Sequence, residues 1–93
     1  MNFVKVNGKD CGNVVLYALS TCIWCKKTKE FLDSINVSYK FVYVDQLTGK
    51  DREDAVNQLS KFNPSTSFPT IVINDKDCIV GFNSDKIKET LGL

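Results

Sequence analysis

"STCIWCKKTKEFL", residues 20–32, is the stretch on which the reading of this chain turns. Two cysteines, Cys22 and Cys25, stand two residues apart, and an amphipathic run follows at once. Trp24, Thr28, Phe31, Leu32 and Ile35 recur at steps of three and four, whereas Lys26, Lys27, Lys29, Glu30 and Asp33 fall elsewhere. That spacing predicts a helix from Ile23 to about Ser34. Just before it, "NVVLYAL" (13–19) is apolar and β-branched, and reads as a buried strand. Cys22 therefore falls where a strand ends and a helix begins. The unpaired N–H groups and the positive dipole end at such a place favour a thiolate. Cys25 is one helical turn on, within disulfide reach of Cys22. The expected roles are Cys22 as exposed nucleophile and Cys25 as resolving thiol, which attacks a mixed disulfide on Cys22 and releases the product.

Paired cysteines also serve metals. A structural zinc site commonly uses four ligands in two pairs. Cys11 and Cys78 form no second pair along the chain, although folding could bring them near. A Cys-X-X-Cys at a helix start in a βαβ pattern is instead the redox context, and redox is the reading favoured here. The chain has no histidine. That excludes Ser–His and Cys–His catalysis and imidazole ligation, and leaves proton transfer to carboxylates, lysine, tyrosine, thiols or water.

Working outward, "SYKFVYVD" (38–45) reads as a second strand and "TGKDREDAVNQLSKF" (48–62) as a second helix, with Ala55, Val56, Leu59 and Phe62 inward and Pro64 as a stop. "TIVIN" (70–74) and "CIVGF" (78–82) flank a tight "DKD" turn. "SDKIKETLG" (84–92) closes the chain as a short helix, with Ser84 as N-cap and Gly92 as terminator. The order is β-α-β-α-β-β-α. It predicts a right-handed parallel crossover, an antiparallel final pair and a four-stranded mixed sheet with helices on both faces. "FVKVNGKD" (3–10) adds a possible extra N-terminal strand, with Asn7-Gly8 as a candidate hairpin turn.

The 93 residues are expected to form one domain, residues 1–93. With 12 basic and 11 acidic residues the net charge is +1, so there is no electrostatic footprint for nucleic acid or an anionic membrane. The start, "MNFVKVNGKD", has no long apolar run, so neither a signal peptide nor a membrane span is expected. The expected address is cytoplasmic, where four cysteines point to catalysis or metal rather than a disulfide framework.

Three segments together carry a family resemblance. "YALSTCIWCKKTKEFL" resembles the active-site segment of the glutaredoxins, a tyrosine, two residues, then Ser-Thr-Cys-X-X-Cys opening a helix. "SFPTIVIND" resembles their Val-Pro-Thr strand, and "VGFNSDKIKETL" the turn before their last helix. The matches run in order across residues 14–92. The resemblance implies a thioredoxin-like fold and thiol–disulfide oxidoreductase activity, with no metal or organic cofactor required. It implies that Cys22 and Cys25 are the redox pair, and that Thr21 is the residue preceding the nucleophile. It also implies that Pro69 is a cis-proline beside the site, that Phe68 presents backbone to a substrate strand, and that Asp85 meets a ligand amine. The partners implied are disulfide-containing protein substrates, with glutathione or a protein disulfide reductase of the thioredoxin-reductase or ferredoxin-linked kind as electron donor.

Three positions depart from the family pattern. Leu19 replaces a lysine that binds a glutathione carboxylate, Gly81-Phe82 replaces paired glycines, and Ile23 replaces a frequent proline. Gly81-Phe82 followed by Asp85-Lys86-Ile87 leans toward the glutaredoxin-shaped redoxins that work like thioredoxin and bind glutathione poorly. The alternative implied by the family is a glutathione-dependent protein that holds a [2Fe–2S] cluster between two subunits.

Other residues have a sharp and a bland reading. Trp24, between the cysteines, is read as an aromatic surface for partner proteins rather than a cover for the helix start. Lys26 and Lys27 either tune the thiolate and attract acidic partners or merely solvate the helix, with Lys26 the stronger candidate for a role. Tyr17 and Cys78 are expected in the core, and Cys11 as an exposed thiol.

Overall fold

The computed structural model describes residues 3–93. Strand β1 (Val4–Val6) is followed by β2 (Val14–Ala18), helix α1 (Ile23–Ser34) and β3 (Tyr39–Tyr43). A single 3-10 turn (Val44–Gln46) leads to α2 (Gly49–Phe62), then β4 (Thr70–Ile73), β5 (Asp77–Val80) and α3 (Ser84–Leu91). The sheet has five strands in the order β1-β3-β2-β4-β5. Strands β2 and β3 are parallel, and β2-β4 and β4-β5 are antiparallel. This is the thioredoxin-like mixed sheet expected from the element order, with the extra N-terminal strand present.

Strand β2 explains why the helices divide between the faces. It is buried throughout, and successive side chains of a strand point to opposite faces. Val14, Leu16 and Ala18 face the core that holds Cys25, Leu32, Ile87 and Leu91 of α1 and α3. Val15 and Tyr17 face the core that holds Ala55 and Leu59 of α2. A central strand covered on both sides reads as a continuous apolar run, which is how 13–19 reads.

Several expectations need correction. Asn7-Gly8 is not a hairpin turn, because β1 pairs antiparallel with β3, Val6 opposite Tyr39, and not with β2. The chain then runs against the start of β3: Lys9 N–H donates to Asn36 O at 2.8 Å, and Ser38 N–H donates to Lys9 O at 2.8 Å. Glycine at 8 is required by that approach, since a Cβ there would lie 2.6 Å from the Val37 carbonyl carbon. The second strand stops at Tyr43 rather than Asp45, because Val44–Gln46 coils into the 3-10 turn. The N-cap of α3 is Asn83, not Ser84: its side chain accepts the Lys86 N–H at 3.1 Å. Gly92 ends that helix in the left-handed conformation, φ 75°, as a C-terminal glycine does. The β4-β5 turn centres on Asn74 and Asp75, both at positive φ, one residue earlier than the expected "DKD". Cys11 and Cys78 are both half-buried, neither fully exposed nor core. Among the described residues no helix is long and apolar enough to cross a membrane.

Candidate functional site

The sheet register brings four segments to one end of the molecule. Tyr17 in β2 pairs with Thr70 in β4, and Thr70 pairs with Val80 in β5, so Phe68-Pro69 and Gly81-Phe82 lie at the end where β2 runs into Cys22. On the other side Ala18 pairs with Tyr43, which puts the turn Val44–Gln46 at that same end. Strand pairing thus gathers the Cys22 loop, Phe68-Pro69, Phe82 and Asp45 at one end of the sheet.

Cys22 is the N-cap of α1, in extended conformation (φ −90°, ψ 120°). Its Sγ accepts the Cys25 N–H at 3.3 Å, the bond a capping serine oxygen would accept. No acidic side chain stands in the first turn of α1, so the capping sulfur does not share the helix N-terminus with a carboxylate. Cys25 is different in kind. It is 2% exposed, and its Sγ accepts only the Leu19 N–H, at 3.5 Å. Burial pushes the Cys25 thiol up to about 12, helped by its hydrogen bond with Cys22 and by the charges of Cys22 and Asp45, against an opposing bond from Leu19. One sulfur is therefore half-exposed at a helix start and the other is held as a neutral thiol beneath it. Both are free, and are poised one helical turn apart.

Around the pair, Ile23 (59% exposed) and Trp24 (55%) form an apolar surface over the helix start. Trp24 shares the helical period of Thr28, Phe31 and Leu32, yet it is exposed, as a surface for partners requires. In the fold, the buried face of α1 is Cys25, Thr28 and Leu32, while Trp24 turns outward onto Phe82, with ring centroids 6.2 Å apart and planes 24° from parallel. Phe82 also meets Phe31 edge-on at 5.8 Å. Lys27 Nζ lies 5.8 Å from the indole centroid. Thr21 and Lys26 are exposed beside the cysteines. On the β3 side of Cys22 a cleft of about 300 Å³ opens between Leu19, Ser20, Lys26, Glu30 and Tyr43. A larger hollow of about 500 Å³, lined by Lys5, Asp10, Asn13 and Tyr39, lies at the opposite end of the sheet, away from the dithiol.

The Phe68-Pro69 peptide is cis. Pro69 is buried and its carbonyl accepts the Gly81 N–H at 2.8 Å; Phe68 is half-buried between the two cores. Asp85 is exposed in the first turn of α3. Two residues that sequence reasoning missed shape these segments. Asn63, 5% exposed at the end of α2, donates to Ser67 Oγ and Thr70 Oγ1, both at 3.0 Å, and accepts the Ser65 N–H at 3.2 Å. It ties up the loop that carries Phe68-Pro69. Asp45 accepts from Ser20, two residues before Cys22. An Asn just before Pro64 was the one available signal for the first; nothing local signals the second.

The glutaredoxin family profile matches residues 14–78, which contain both cysteines, the crossover and the Phe68-Pro69 strand. The chain belongs to the glutaredoxin family. Among solved structures, this glutaredoxin superposes on the glutaredoxin from Methanosarcina mazei Go1 with a TM-score of 0.93 at 50% identity, covering 100% of this chain and 90% of that one. It superposes equally, TM-score 0.93 at 46% identity, on Methanosarcina acetivorans methanoredoxin, covering 100% and 97%. A glutaredoxin-like 8.6 kDa protein in the rubredoxin operon of Clostridium pasteurianum is 40% identical over 79 residues, 84% of this chain and 96% of that protein. The family is generally one of thiol–disulfide oxidoreductases. The matched stretch includes the Cys22-X-X-Cys25 pair, one sulfur half-exposed and the other buried. Among the described residues no group of three or more His, Cys, Asp or Glu side chains is arranged to hold a metal ion.

Proposed function

We propose that this glutaredoxin reduces protein disulfides, or mixed disulfides, by dithiol exchange through Cys22 and Cys25. The observation that carries the reading is the asymmetry of the pair: one sulfur is accessible at a helix start, and the other is buried and held as a thiol. Cys22 thiolate attacks one sulfur of the substrate disulfide. A Cys22–substrate bond forms, the substrate S–S bond breaks, and the other substrate sulfur leaves as thiolate and takes a proton. Cys25 then loses its proton and attacks Cys22 Sγ, forming the Cys22–Cys25 disulfide and expelling the second substrate sulfur. Two electrons have passed to the substrate; of the two protons its sulfurs take up, one is that released by Cys25 and the other comes from water, replacing the proton Cys22 gave up on ionising.

The order of events follows from what raises Cys25. Two of the causes are Cys22 itself, through its hydrogen bond and its charge. Once Cys22 is bonded to substrate its charge is gone, so Cys25 becomes easier to ionise at the step that needs it. Thr21, Trp24, Lys26 and the Phe68-Pro69 edge are the proposed substrate contacts, and Asp85 the contact for a ligand amine.

The electron donor we favour is a protein disulfide reductase of the thioredoxin-reductase or ferredoxin-linked kind. Leu19 cannot make the charged contact of a lysine, and a lost charge-assisted hydrogen bond is worth roughly 1.5–3 kcal/mol. Phe82, packed against Trp24 and Phe31, puts a ring two residues before the start of α3, where the family pattern has a glycine that leaves the approach to Asp85 open. The test is turnover of a protein disulfide with each donor. Reduction by a protein reductase is expected to outpace glutathione with glutathione reductase, and Leu19→Lys to raise the glutathione rate. Efficient turnover with glutathione and none with either protein reductase overturns the donor assignment. Loss of activity in Cys22→Ser and Cys25→Ser is expected with every donor, and full activity in Cys22→Ser overturns the dithiol reading. The iron–sulfur alternative has its own readout, a brown protein after anaerobic purification.

A further inference from the structure

Besides the two cysteines, a third ionisable side chain acts on the dithiol from a separate element. Strand β3 runs parallel to β2 with Tyr43 opposite Ala18, so the residue two beyond Tyr43 arrives beside the residue two beyond Ala18. These are Asp45 and Ser20. The Ser20 N–H donates to Asp45 Oδ1 at 2.9 Å, and the Ser20 hydroxyl donates to Oδ2 in a short bond. Ser20 lies between Leu19, whose N–H donates to Cys25 Sγ, and the Thr21-Cys22 step into α1. Asp45 itself is exposed.

We propose that Asp45 is a positioning residue of the dithiol, whose carboxylate clamps Ser20 and thereby fixes the loop that sets Cys22 at the helix start and Leu19 N–H on Cys25. The proposal rests on the dithiol exchange described above. Its two effects are separable. The first is the clamp, which holds Ser20 by two hydrogen bonds. The second is charge. The bonds from Ser20 hold the Asp45 carboxyl below the usual carboxylate range, with the Arg52 guanidinium of α2 acting in the same direction. The resulting negative charge adds to burial and to Cys22 in keeping Cys25 a thiol. The charged or titratable groups that bear on Cys25 are thus Cys22 from its own loop and Asp45 from the turn after β3.

Asp45→Asn and Asp45→Ala distinguish the two effects. The asparagine keeps an acceptor for the Ser20 N–H, offers its amide N–H to the Ser20 hydroxyl, which can also accept, and removes the charge; the alanine removes both bonds and the charge. With a disulfide substrate, Asp45→Ala is expected to lower kcat about tenfold, the scale of one lost hydrogen bond to a charged group. Asp45→Asn is expected to recover most of that loss. On a Cys22→Ser background, iodoacetamide labelling of Cys25 at about pH 9 is expected to rise in Asp45→Asn, because one of the charges that keep Cys25 a thiol is gone, while burial, the larger cause, remains. Labelling needs no turnover, so it tests Asp45 even if the exchange reaction is misassigned. Ser20→Ala supplies the partner for a double-mutant comparison. Combined with Asp45→Ala, it should lower kcat less than the product of the two single effects. The proposal is overturned if Asp45→Ala leaves both kcat and Cys25 labelling at wild-type values, or if the Ser20 and Asp45 losses multiply independently.

Discussion

The indole of Trp24 stacks on the ring of Phe82, centroids 6.2 Å apart, and so joins the residue between the two cysteines to the turn that opens the last helix. Trp24 is the chain's single tryptophan. The stack links a feature of the dithiol loop to the one position where a bulky ring stands in for a glycine of the family pattern. It makes the apolar surface beside Cys22 a built one rather than a loose side chain.

Removing the ring should therefore be visible in three ways. Phe82→Gly is expected to destabilise the protein by about 0.5–1.5 kcal/mol beyond the lost apolar area, the usual worth of an aromatic pair. Trp24 emission should move to longer wavelength as the indole gains water. Glutathione-dependent turnover should rise, and rise further with Leu19→Lys. Unchanged emission in Phe82→Gly would show that the stack does not persist in solution.

Cys22 should be alkylated before Cys25. The cause is accessibility combined with the thiol of Cys25 being pushed up to about 12. Mass spectrometry of reduced protein after partial iodoacetamide treatment near neutral pH reads the order directly. Cys25 labelled first would reverse the roles assigned to the two sulfurs.

Alkaline pH should separate the reduced and oxidised proteins. Cys25 titrates near 9.0 in an unfolded chain and at about 12 in the fold. Between those values the unfolded state gives up a proton that the folded state keeps. The stability contributed by neutral Cys25 is thus complete below about pH 9 and is lost as pH rises toward about 12. A Cys22–Cys25 disulfide has no such proton. Tyr39 is also pushed up, by burial and by its bond to Asp33, but it acts alike in both forms. Urea midpoints measured from about pH 8.5 to 10.5 should fall more steeply for reduced than for oxidised protein. Parallel slopes would contradict the burial of Cys25 as the source of its shift.

The loop that presents Pro69 should depend on Asn63. Asn63→Ala removes the bonds its Nδ2 donates to Ser67 O, Ser67 Oγ and Thr70 Oγ1 and the bond it accepts from the Ser65 N–H, and leaves Thr70 Oγ1 with only the bond it donates to Ser67 O at 2.8 Å. A loss of about 1–3 kcal/mol in stability is expected, with KM for a protein disulfide rising as the Phe68-Pro69 edge loosens. Pro69→Ala should harm activity more than stability accounts for, because proline has no N–H and leaves that strand end open for a partner. A folded Pro69→Ala protein with full disulfide-reducing activity would remove Pro69 from the site.

Much of this protein was legible in its residues because the signals are local. The strand at 13–19 and the helix after Cys22 each satisfy their period within a dozen residues, and backbone hydrogen bonding and burial enforce that period whatever the neighbours do. The Cys-X-X-Cys spacing, the helix start beneath it and the Pro-Thr step into β4 are likewise read along the chain. Placed in order, they specified the crossover, the sheet and the dithiol. The errors were of another kind. Asn7-Gly8 satisfies a hairpin turn as a dipeptide, yet β1 pairs with β3, because strand partnership is decided by the whole sheet. Trp24 shares the period of α1's buried residues, yet its ring stacks on Phe82, 58 positions away, a partner that only the fold supplies. Asp45 and Asn63 carry no motif at all. The parallel register of β2 and β3 lays Asp45 against Ser20, and the return of the chain from α2 into β4 wraps its loop around Asn63. The unequal acidity of the dithiol belongs to the same class: the residue spacing sets two sulfurs one turn apart, but only packed neighbours and an excluded solvent make Cys25 the one that keeps its proton.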